Sequence, residues 1–236
     1  MKKLLFLAIT SLLVLSFTAC SESKEKSPSK KENTGGSGSV SVSVDNSKNK
    51  EEIFNDEEVI KNLTTSTYTW KEGSYSYAAI IVKNNSKMDC NLTANIVFKD
   101  GEGNVIGADD GYIYALEKNT EACIIVSNET EFASFDYTYE AEKSDFYKAA
   151  SSSISCEASP PSDKAILTFK NNGEKEIDII NYHVLFMSGE IVIDNSYGFI
   201  SDLAPGATKT EEANFYNYKK DFDNVKIYYS GYSTEW

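Results

Sequence analysis

Two apolar segments, 87 residues apart, close on the same dipeptide. Ala78-Ala79-Ile80-Ile81-Val82-Lys83 leads into Asn84-Asn85, and Ala165-Ile166-Leu167-Thr168-Phe169-Lys170 leads into Asn171-Asn172. At this offset Ile80 matches Leu167 and Val82 matches Phe169, so the parity of apolar positions is kept. After one inserted residue, Leu92, Ala94, Ile96 and Phe98 match Ile180, Tyr182, Val184 and Phe186. Tyr112-Ile113 matches Phe199-Ile200, and Leu116 matches Leu203. Both copies close on an aromatic alternation, Phe135, Tyr137, Tyr139 and Val225, Ile227, Tyr229. The lead-ins Val59-Ile60-Lys61 and Phe146-Tyr147-Lys148 also align. A fixed period of this kind marks repeated folding units. Two tandem copies are expected, at 57–142 and 144–236.

The pattern within each copy is apolar-polar alternation of period two, as in a strand buried on one face. Val, Ile, Thr, Tyr and Phe favour strands, and turn signals intervene at Asn84-Asn85-Ser86, Asp100 to Asn104, Asn171-Asn172-Gly173, Ser188-Gly189 and Pro205-Gly206. No segment keeps a 3.6-residue apolar period over three turns. The expected fold is all-β. About seven short strands in roughly 90 residues suit a two-sheet sandwich.

Val82-Lys83-Asn84-Asn85-Ser86, the strand Ile96-Val97-Phe98-Lys99-Asp100 and the following Gly103-Asn104-Val105-Ile106-Gly107 resemble an FxLYD domain. The second copy keeps Lys170-Asn171-Asn172-Gly173, Val184 to Phe186 and Leu203-Ala204-Pro205-Gly206, but has Met187-Ser188-Gly189 where the motif has its acid. The resemblance implies two immunoglobulin-like β-sandwiches of a bacterial envelope protein, with no common enzymatic activity.

The N-terminus carries Lys2 and Lys3, an apolar run from Leu4 to Leu15, and small residues before Cys20. These are the parts of an export signal, and the run is too short for a spanning helix. With Leu15-Ser16-Phe17-Thr18-Ala19-Cys20, the segment resembles a bacterial lipoprotein signal peptide. That implies cleavage after residue 19 and a diacylated Cys20, which satisfies the two-chain requirement for stable anchoring. The chain is then held by lipid on the extracytoplasmic face of the cell membrane. Residues 20–56 form a tether rich in Ser, Lys, Asn, Gly and Glu, a composition with too little apolar surface to fold. Its lysines either favour an anionic leaflet or keep the tether soluble.

Chemistry has few footholds. His183 is the single histidine, and its parity opposes Tyr182, Val184 and Phe186, which predicts a solvent-facing or edge position. Any Ser-His-Asp triad would need it. No catalytic residue and no cofactor motif is identified. Cys90, Cys123 and Cys156 lack metal-ligand spacing. Outside the cytosol a Cys90–Cys123 disulfide is the candidate pairing, against free buried thiols. Asp100-Gly-Glu102-Gly-Asn104 reads as a hairpin turn, since Val105 and Gly111 stand where a calcium loop needs Gly and Glu. No metal site is expected.

The formal net charge is −13, and becomes −15 once Lys2 and Lys3 leave with the signal. Nucleic acid is excluded as a partner, because phosphate binding needs a basic surface. The numerous tyrosines either half-bury in strands or form exposed rows that stack on sugar rings or anchor a protein. Function is therefore expected to be non-catalytic: binding of an envelope protein or glycan by lipid-anchored sandwiches. The alternatives are an architectural module of an envelope complex and a solute-capture lipoprotein.

Overall fold

The alternating segments are strands throughout. The structure, a computed structural model, describes residues 53–159, 163–217 and 221–234. The first half holds a helix α1 (Asp56–Lys61) and strands β1 (Leu63–Glu72), β2 (Tyr75–Asn84), β3 (Cys90–Lys99), β4 (Val105–Leu116), β5 (Glu121–Asn128) and β6 (Ser134–Lys143). The second holds β7 (Lys148–Ala149), a 3-10 turn (Ser151–Ser153), β8 (Ile154–Ala158), β9 (Lys164–Asn171), β10 (Ile177–Ser188), β11 (Ile191–Leu203), β12 (Thr208–Asn214) and β13 (Asn224–Ser233).

Four antiparallel sheets result, with orders β1-β2-β5, β4-β3-β6, β12-β9-β8 and β11-β10-β13-β7. Strands β8 to β13 thus repeat the connectivity of β1 to β6. In each half the two sheets close over their own apolar core. Ile80, Leu92, Ile96, Phe98 and Leu116 are fully buried in the first. Leu167, Phe169, Ile177, Ile180 and Phe186 are their counterparts in the second. The fold is all-β and of sandwich type.

The lead-ins, aligned by sequence, differ in structure. Asn55 caps α1 by accepting from the Glu58 N–H at 3.0 Å, and Asp56, Glu57 and Glu58 crowd its first turn. Acids there oppose the positive end of the helix dipole. Residues 146–149 instead run into β7, which pairs with β13 through Ala149 and Tyr232. Phe54 already packs on the first core, ahead of the helix.

A third apolar cluster joins the halves. Trp70, Ala79, Ile81 and Cys123 of the β1-β2-β5 sheet meet Leu185, Met187, Val192 and Tyr228 of the β11-β10-β13 sheet. The central strands β2 and β10 of these two sheets are therefore covered on both faces over Ala78 to Val82 and Val184 to Met187. The local signal is an unbroken apolar run, because alternation covers one parity only. Ala78 to Val82 and Val184 to Met187 are such runs, and all nine residues are buried. Their repeat partners are buried on one parity only: Leu167 and Phe169 are buried, Ile166 and Thr168 are half-buried, and Lys99 stands at the position of Met187. Polar contacts tie the same seam. The Lys226 ammonium donates to the Tyr68 hydroxyl at 2.6 Å, and Glu117 accepts from the N–H and hydroxyl of Ser152 at 2.7 and 2.6 Å.

The outermost faces are polar. The outer face of β4-β3-β6 presents Asn95, Lys99, Asp136, Glu140 and Glu142, with Lys99 paired to Asp136 and Asn95 donating to Glu140 at 3.1 Å. The outer face of β12-β9-β8 presents Lys164, Thr168, Lys170, Thr210 and Glu212, with Lys164 2.7 Å from Glu212.

Candidate functional site

The seam between the halves leaves a cavity of about 230 Å³. Strand β4 brings Tyr112 and Tyr114, β5 brings Cys123, β10 brings Asn181 and His183, β11 brings Tyr197, and β13 brings Tyr228 and Ser230. These positions follow from pairing. His183 sits opposite Tyr197 on one side and Tyr228 on the other, so the three side chains share one face. The His183 and Tyr197 rings lie 6.3 Å apart, tilted by 39°.

Parity placed His183 on the face opposite Tyr182, Val184 and Phe186, and the structure does so too. The expected solvent-facing or edge position is corrected. That face also carries Leu185 and Met187, and the first half covers it. The His183 Nδ1 is buried and has no hydrogen-bond partner. Burial pulls the imidazole down to about 4 from an ordinary 6.5, so it is neutral at physiological pH.

The neighbours are neutral as well. Burial raises the Cys123 thiol. Burial also raises the Tyr228 phenol, with smaller contributions from Tyr68, Glu121 and Cys123. A hydrogen bond to Asp110 raises Tyr112 at the rim. No lysine and no carboxylate lines the wall. At the mouth, Tyr197 is 78% exposed, Tyr112 58% and Tyr114 44%. Tyr114 continues into an aromatic cluster with Tyr147 at 5.4 Å and Tyr232 at 6.2 Å.

The other residues singled out from sequence lie elsewhere. Cys20 and its tether are outside the described residues. The Cys90–Cys123 pairing is not made: both are free thiols. Cys90 faces the core of the first half and Cys123 faces the seam, on opposite sides of the β1-β2-β5 sheet. Burial pushes Cys90 up to about 12, and likewise Cys156. Asp100 closes the β3–β4 hairpin, its Oδ1 accepting from the N–H of Glu102 and Asn104, both at 2.9 Å. Among the described residues, no group of three or more His, Cys, Asp and Glu side chains is placed to hold a metal ion.

Tyr112, Cys123 and His183 are each conspicuous in the sequence, but nothing local brings them together. The signal that was present is the pair of unbroken apolar runs, which demand a second covering surface. No protein-family model and no curated protein matches this chain.

Proposed function

We propose that the chain is a lipid-anchored lipoprotein of the extracytoplasmic membrane face, whose two FxLYD-like sandwiches act as one non-catalytic binding head. The anchor reading rests on the Met1 to Cys20 segment. The binding reading rests on one observation above all: a tyrosine-walled cavity between the halves, lined also by the neutral polar groups of His183, Asn181 and Ser230. Sites of this kind concentrate apolar contact and a few fixed polar atoms.

The direction of the shifts at Cys123 and His183 supports binding over a Cys–His nucleophile. A Cys–His nucleophile needs a lowered thiol and a protonated imidazole. Here the thiol is raised and the imidazole lowered, both by desolvation.

Two experiments test the reading. In a bacterial host that lipidates the chain, Cys20→Ala should release it from the membrane fraction. The immobilised full chain should retain an envelope protein or glycan from a solubilised envelope. Retention of the Cys20→Ala variant on the membrane removes the anchor, and an empty column removes the binding head. A second reading, a rigid spacer within an envelope complex, draws on the third core that fixes the halves together. It predicts a stoichiometric membrane partner that co-purifies equally with a Tyr197→Ala variant.

A further inference from the structure

Resting on the binding reading above, we infer that the cavity between the halves takes one neutral, hydroxyl-bearing ring, namely a single sugar residue. Three properties of the wall select this class. The first is size. At about 230 Å³ the cavity lies below the roughly 300–1,000 Å³ of drug-sized sites, so it holds one small ring rather than an extended ligand.

The second is charge. The wall carries neither lysine nor carboxylate, and the whole chain is at −13. An anion meets no counter-charge and a repulsive field. A quaternary ammonium ion would find tyrosine faces. It would nevertheless leave the polar floor unsatisfied, having no hydrogen to donate and no lone pair to offer.

The third is that floor. His183, Asn181 and Ser230 line the cavity from one face of the β10-β13 pair. A hydroxyl both donates and accepts, so it complements His183 in either neutral tautomer. Tyr114 and Tyr197 also line the cavity and are exposed. The C–H face of a sugar is apolar and packs on such rings, while its hydroxyls reach the floor.

The test uses the full lipidated chain in detergent micelles. Glucose, N-acetylglucosamine, a β-linked trimer of each, choline and inorganic phosphate are titrated in, with saturation-transfer NMR and intrinsic fluorescence as readouts. At least one neutral sugar should bind at about millimolar Kd, as suits a ligand of so few atoms. Tyr197→Ala, an exposed change that leaves folding intact, should weaken it about tenfold, the loss of one stacked face. His183→Leu should abolish it. Tighter binding of a trimer identifies the terminal residue of a glycan as the ligand, and equal binding identifies a free sugar; both support the inference. Three results overturn it: no sugar binds, binding survives both substitutions, or choline or phosphate binds in place of sugar. If the envelope column is loaded while every sugar fails, the ligand class is wrong and the binding head stands.

Discussion

Asn84 and Asn171 make the same side-chain hydrogen bonds in the two halves, 87 residues apart. The Asn84 amide donates to the Met88 and Leu116 carbonyls at 2.8 and 3.1 Å, and its oxygen accepts from the Ser86 N–H at 2.9 Å. The Asn171 amide donates to the Lys175 and Leu203 carbonyls at 2.7 and 2.8 Å, and its oxygen accepts from the Gly173 N–H at 2.8 Å. Their backbones match too. The Asn84 carbonyl accepts from Asn119 and the Asn171 carbonyl from Gly206, residues with φ of 65° and 71°. Both asparagines are wholly buried. Each fastens the end of a core strand to two loops, which is why the dipeptide marks the repeat.

Asn84→Ala and Asn171→Ala should therefore be equally damaging. Each strands buried carbonyls and an N–H, and should cost about 3 kcal/mol or more. Urea unfolding of the two variants measures this, and a negligible loss in either would show that its network is not structural.

His183 should impose a pH dependence. Its imidazole is harder to protonate folded, at about 4, than at its ordinary 6.5. The unfolded chain therefore binds the extra proton between those values. Stability is full above about 6.5, falls as pH drops through that range, and levels off below about 4. The loss attributable to this group is about 3 kcal/mol. Tyr228 and Cys123, which face it, are raised by burial and stay neutral throughout. Urea midpoints from about pH 4 to 8 should show a shallower slope for His183→Gln than for the native chain.

Glu72 and Asp194 face each other across the seam, and their substitutions should act oppositely. The Glu72 carboxyl is raised by burial, then by the charge of Asp194 and their hydrogen bond. Its stabilising protonated form is present at low pH and lost as pH rises through its folded value. Glu72→Gln should raise the urea midpoint at neutral pH, with the gain shrinking in acid. Asp194 is 1% exposed and accepts from the N–H groups of Asn195, Tyr216 and Asn217 at 2.7, 2.7 and 3.1 Å. Asp194→Asn should lower stability by about 3 kcal/mol, since charged acceptors make the stronger bonds.

Leu185→Asp should uncouple the halves. Leu185 is fully buried at the seam, and a carboxylate there loses apolar contact and desolvates a charge. Calorimetry should replace one transition by two, one for each core. A single unshifted transition would mean that the third core contributes little.

Thiol chemistry checks the cysteine assignment. Cys90 and Cys156 are pushed up to about 12 and Cys123 is also raised, so almost no thiolate exists near neutral pH. A thiol reagent should label Cys90, Cys123 and Cys156 slowly in the native chain and all three quickly in denaturant, without prior reduction. A reduction requirement would reveal a disulfide.

The sequence by itself determined the strands, the hairpin at Asp100, the repeat register and the side of β10 on which His183 lies. All of these are local: period-two alternation, turn chemistry and the Asn-Asn loops act within a few residues. It did not determine what covers that side. Alternation states that one face of a strand is buried, and an unbroken run such as Val184 to Met187 states that both are. Neither names the partner surface, which comes from residues about a hundred positions away. Only the tertiary structure laid Trp70, Ile81 and Cys123 over Leu185 and Tyr228. That packing buried His183, separated Cys90 from Cys123 by a sheet, and left the tyrosine-walled cavity where the two surfaces part.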